Sequence, residues 1–112
     1  MSDKTDSLVL DGVTIAVNVV DTIVRLAAQG IEGVEVISAP SLRKMGHVRP
    51  VEVACDPSGS LVIGVHIRVA YGTRLHEAAA AIQRAVSDAV STQIGVVPSA
   101  VDIFIDSLVF DK

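Results

Sequence analysis

Aromatic side chains are nearly absent: one Tyr and two Phe in 112 residues. A core without them must be filled by something else, and twenty Val and ten Ile supply it. Such β-branched side chains suit the pleated surface of a sheet. Cysteine is reduced to Cys55, which excludes an internal disulfide and fits a reducing compartment. No stretch approaches the roughly 20 consecutive apolar residues of a membrane-spanning helix. Positive charge is also scarce, nine Lys and Arg against 13 Asp and Glu, for a net charge of -4. That balance argues against nucleic acid as a partner, because such binding rests on phosphate neutralisation. Neither a phosphate-cradling glycine loop, nor a Gly-x-x-Gly clamp, nor an aromatic stacking platform is present. The polar start Met1 to Ser7 lacks the basic-then-apolar order of an export signal, so the expectation is a cytoplasmic chain with a disordered lead over 1–7.

What is present is patterning. Leu61, Ile63, Val65, Ile67 and Val69 alternate, which puts all five on one face of a strand. After the Tyr71-Gly72 corner, Leu75, Ala79, Ile82, Val86, Ala89 and Val90 repeat at the helical period. Gly95 stops that helix, and Val101, Ile103 and Ile105 alternate again. Upstream, Leu8 to Ile15 reads as a short strand with a turn signal at Asp11-Gly12. A helix from about Val17 to Gln29 follows, with Val19, Val20, Ile23, Leu26 and Ala27 on its apolar side. Gly30 and Gly33 bracket its end, where positive φ is expected. Val34 to Ile37 and Val51 to Cys55 are strands, and Asp56-Pro57-Ser58-Gly59 is a turn. Parity fixes the hairpin register. Val53 should pair with Ile63 and Cys55 with Leu61, because a one-residue slip inverts a strand. The fold expected for 8–112 is a single-domain α+β two-layer sandwich. Its order is β-α-β-β-β-α-β, with a mixed β-sheet and two helices packed on one face.

Chemistry is harder to find. The register turns Cys55 into the apolar layer and His66 to the other face, so a cysteine–histidine nucleophile is not expected. His47, His66 and His76 follow no metal-ligand spacing. Asp21 with Arg25 and Arg84 with Asp88 read as solvated i, i+4 pairs. Two surfaces remain as candidate sites. One is the segment carrying Arg43, Lys44, His47 and Arg49, three of the nine basic residues without an acid among them, suited to an anionic partner or lipid surface. The other is the outer sheet face, where Val62, His66, Arg68, Asp102, Phe104 and Asp106 should emerge. Phe104 between two aspartates has the composition of an interface, unless a bulge near Asp106-Ser107 re-aims it into the core.

Gly12-Val13-Thr14-Ile15, Gly33-Val34, Gly59, Val69-Ala70-Tyr71-Gly72, Ile82-Gln83, Ile94-Gly95 and Val101-Asp102-Ile103-Phe104-Ile105 occur in that order. In this order and spacing they resemble the alkaline shock protein family of bacterial envelope-stress proteins, over roughly Leu10 to Phe110. The resemblance implies a cytoplasmic, non-catalytic protein that self-associates, helps maintain the cell envelope and uses no cofactor. It also implies a small membrane-anchored protein as a partner that recruits it to the inner face of the membrane. Three departures stand out: a short segment after Gly33-Val34, Pro50 where a glycine is usual, and no proline in Arg74-Leu75-His76-Glu77. Homo-oligomerisation without nucleic acid or a small-molecule substrate is the leading expectation. A regulatory module docking an anionic partner or lipid surface through 43–49 is the alternative.

Overall fold

The alternating run from Leu61 becomes the spine of the molecule. The computed structural model describes residues 7–10, 12–37, 50–55 and 60–110. In chain order these form β1 (Ser7–Leu10), β2 (Val13–Ala16), α1 (Val17–Gln29), β3 (Val34–Val36), β4 (Val51–Cys55), β5 (Leu61–Ala70), α2 (Leu75–Ile94) and β6 (Ala100–Val109). The α+β order expected from the pattern holds, with the first strand resolved into a hairpin of two. Leu10 pairs with Val13 across its turn. Ser7, expected in the lead, already belongs to β1.

β5 pairs on both sides. β3 lies antiparallel to its second half, with Val36 opposite Ile67, and β4 to its first half, with Val53 opposite Ile63 and Cys55 opposite Leu61. The expected hairpin register is therefore the observed one. β3 and β4 lie end to end along one edge, and His66 sits at their junction. Its N–H donates to Pro50 O at 2.8 Å and its carbonyl accepts from Ile37 N–H at 3.1 Å. The other side of β5 carries β6 in parallel, Val65 opposite Ile103, after a crossover through α2. The sheet is thus mixed, as the pattern implied.

All five odd residues of β5 are fully buried, and with Val51, Val36, Val20, Val24, Ala28, Ile82, Val86 and Val90 they form the core. β-Branched side chains fill most of it, in keeping with the scarcity of aromatics. On α1 the buried stripe is Val20, Val24 and Ala28, spaced by four. Val19 and Leu26, expected inside, are 47% and 67% exposed. The apolar arc of this helix is wider than the surface that covers it. Positive φ also falls differently from expectation, at Gly33 (83°) and not at Gly30, whose φ of -74° is ordinary helix.

Cys55 is the clearest correction. Its register is as expected, but it is the last residue of β4 on an edge of the sheet, and it is exposed. Parity names a face; it does not guarantee that a layer reaches that far. We expect the thiol to label stoichiometrically in native protein without denaturant. Cys55→Ser should change unfolding free energy by less than about 0.5 kcal/mol, as an exposed substitution does.

Candidate functional site

Both helices pack on one side of the sheet, so the other side is left as a surface. Even-numbered residues of β5, and of β6 as far as Asp106, point there, and strand register decides which of them meet. His66 stands opposite Phe104 in the parallel pair, and their rings stack with centroids 4.7 Å apart and planes inclined at 17°. Gly64 makes room for this. A Cβ on Gly64 would lie 3.3 Å from Phe104 Cε2 and 3.5 Å from Glu52 Oε1, so the absent side chain is replaced by the phenyl edge. A glycine inside a central strand weakens it unless something packs in its place.

The imidazole is held from both ends. Nδ1 is 2.8 Å from Asp106 Oδ2, and Nε2 is 3.6 Å from Glu52 Oε2. Asp106 reaches it because of a β-bulge. Ile67 pairs with Ile105 but Arg68 with Ser107, leaving Asp106 as the extra residue. The bulge the sequence hinted at exists, but Phe104 precedes it and stays on the outer face, 42% exposed. Beyond the bulge the parity flips, so Leu108 pairs with the inward Val69.

The expected outer-face residues are therefore found together, with Val62 and the His66 side chain partly buried and Asp102 and Phe104 exposed. Glu52 of β4 shares this face and flanks His66. Only the order of three strands brings β4, β5 and β6 side chains into one row. Arg68 lies further along, with its Nε buried and without a hydrogen-bond partner. Glu35 faces it across the β3–β5 pair. The surface is acidic: Glu35, Glu52, Asp102 and Asp106 against one guanidinium.

The chemistry available here is modest. The two carboxylates approach opposite ring nitrogens of His66, so the three groups do not converge on one point where an ion would sit. Among the described residues no cluster of His, Cys, Asp and Glu is arranged to hold a metal. At the Arg68 end of this face a pocket of 240 Å³ is lined by Gly33, Val34, Glu35, Arg68, Ala70 and Val109. Other concave surfaces lie away from it. A groove of 480 Å³ between the helices is lined by Ile23, Leu26, Ala27, Ala89 and Gln93, and one of 330 Å³ lies between α2 and the start of β6. On the helices Asp21 and Arg25 form the expected ion pair at 2.6 Å, whereas no ion pair joins Arg84 and Asp88. The basic candidates Arg43, Lys44, His47 and Arg49 lie outside the described residues. Ile37 and Pro50, which flank that segment, both hydrogen-bond to His66.

The family model for alkaline shock protein 23, described as having a cell envelope-related function, matches residues 6–110. The chain belongs to this family. Its function is therefore related to the cell envelope. No curated protein matched the chain. Among the described residues no helix is long and apolar enough to cross a membrane. The segments that carried the family resemblance also meet in space. Gly33 O accepts from Ala70 N–H at 2.9 Å, so Gly33-Val34 and Val69-Ala70-Tyr71-Gly72 form one corner of the fold.

Proposed function

We propose that this protein is a non-catalytic, self-associating scaffold that supports the cell envelope under stress. It acts by contact, and a small membrane-anchored partner holds the assembly at the membrane. The observation that carries this reading is Phe104. A ring 42% exposed stands on the uncovered sheet face at its β6 edge, braced on His66 of the central strand and accompanied by Glu52, Asp102 and Asp106. An apolar centre with a charged rim is how contact surfaces between proteins are built. A half-exposed sheet face intended only for water would place a polar residue there.

The test is the assembly state. Phe104→Glu puts a carboxylate among three others and should move the protein to monomer in sedimentation velocity, with its circular dichroism unchanged. If the variant sediments like wild type, this face is not the contact.

A further inference from the structure

We infer that two copies of this chain join antiparallel along β6, about a two-fold axis at Ile103, fusing two sheets into one. The joint rests on the scaffold reading and gives the surface through which the copies associate.

β6 is paired on one side only: among the described residues β5 is its sole neighbour. Ser99 N–H donates to Leu61 O at 2.8 Å. Within the strand the odd residues of β5 face β6, since His66 and Ala70 bond on the other side and Tyr71 N–H donates to Val109 O. The register then turns the backbone groups of Ala100, Asp102 and Phe104 toward β5 and those of Val101, Ile103 and Ile105 outward, where Val101 O accepts from the Gln83 side-chain amide at 2.9 Å. Proteins guard such edges with short strands, Lys, Pro or bulges. β6 runs ten residues with no Lys, Arg or Pro. The bulge at Asp106 lies beyond Ala100–Ile105, which pair with β5 in unbroken register. The inner row carries the same message. Ile63, Val65 and Ile67 are fully buried, yet their register neighbours Val101, Ile103 and Ile105 are only partly so. What they lack is a strand beyond them.

Charge selects the register. With the axis at Asp102, that carboxylate faces its own copy; with the axis at Phe104, Asp102 faces Asp106. Like charges directly opposite are destabilising. With the axis at Ile103, Asp102 faces Phe104, Val101 faces Ile105 and Ile103 faces itself. Apolar residues then meet on the inner side and no two acids are opposed. The contact is isologous and closes as a dimer. It is strand addition in which the added strand is the same strand.

In this register Ile103 meets its counterpart as a hydrogen-bonded pair, about 5.5 Å between Cα atoms, which is within reach of a disulfide. In a Cys55→Ser background, which removes the exposed native thiol, Ile103→Cys should oxidise to a covalent dimer. Asp102→Cys or Phe104→Cys should cross-link poorly. Val101→Pro deletes an outward N–H that β5 does not use. Two hydrogen bonds are lost per dimer, weakening it by roughly tenfold or more, while circular dichroism and melting report an intact fold. If Ile103→Cys stays monomeric on oxidation, or Val101→Pro assembles normally, while wild type sediments as an oligomer, then β6 is not the contact although self-association stands. A wild type that is monomeric at every concentration overturns both.

Discussion

Ile67→Ala should lower the unfolding free energy by about 3–4 kcal/mol, in the middle of the range for large-to-small changes in a sealed core. Ile67 is fully buried in the central strand, between Val36 on one side and Ile105 on the other. Neither neighbour can move in to fill the space, since both are fixed by strand pairing. The companion Ile105→Ala removes the same atoms one strand away, where the side chain is only partly buried. It should cost about half as much, because part of that surface is already in water. For a domain of this size the first variant should melt roughly 15–20 °C lower, and it takes a substantial share of the 5–15 kcal/mol that such domains possess. Urea titrations of both proteins at low concentration would measure the gap directly. Equal losses would mean that β6 is as enclosed as β5, which contradicts an open edge.

That gap also marks where the sequence is legible. The alternation in Leu61 to Val69 states that one face is apolar, and all five residues are indeed fully buried. The bounds of α1 follow from a period that starts at Val17 and fails after Gln29. The β4–β5 register follows from parity, because a single slip would expose Val53 and Ile63. These are local properties, readable within one hairpin or one helix. The failures share a cause as well. Val19, Leu26 and Cys55 are apolar residues whose burial depends on how far a neighbouring layer extends, and no local pattern encodes that extent. Gly30 and Gly33 look alike in sequence, and only the path of the chain decides which takes positive φ.

The outer face was legible residue by residue but not as a constellation. Glu52, His66, Phe104 and Asp106 each follow from the parity of their own strands. Their meeting depends on β4 and β6 flanking β5 from opposite sides and on the phase of a parallel pair 40 residues apart in sequence for His66 and Asp106. The bulge adds to this. In an unbroken register Asp106 would pair with Arg68 and Leu108 would point outward with Phe104.

Gly33→Ala should be the most damaging of the substitutions at the described positive-φ glycines, at about 2–3 kcal/mol, and the reason is contact added to conformation. Gly33, Gly72 and Gly95 all have positive φ, at 83°, 98° and 89°. Any L side chain there costs about 1 kcal/mol or slightly more. At Gly72 and Gly95 an added methyl would meet nothing within 4 Å, so that conformational cost is all there is. At Gly33 it would lie 2.9 Å from Thr73 Oγ1 and 3.9 Å from the Ala70 Cβ. Gly33 O also holds Ala70 N–H at 2.9 Å, and Thr73 N–H donates to Ala70 O, so neither segment is free to back away. The corner after α1 and the corner before α2 are locked against each other at this point. A double-mutant cycle separates the two contributions. Thr73→Ala removes the hydroxyl, so Gly33→Ala in that background should fall back to the cost measured at Gly72 and Gly95. If the penalty is unchanged without the hydroxyl, the close approach contributes nothing and the backbone conformation alone demands glycine.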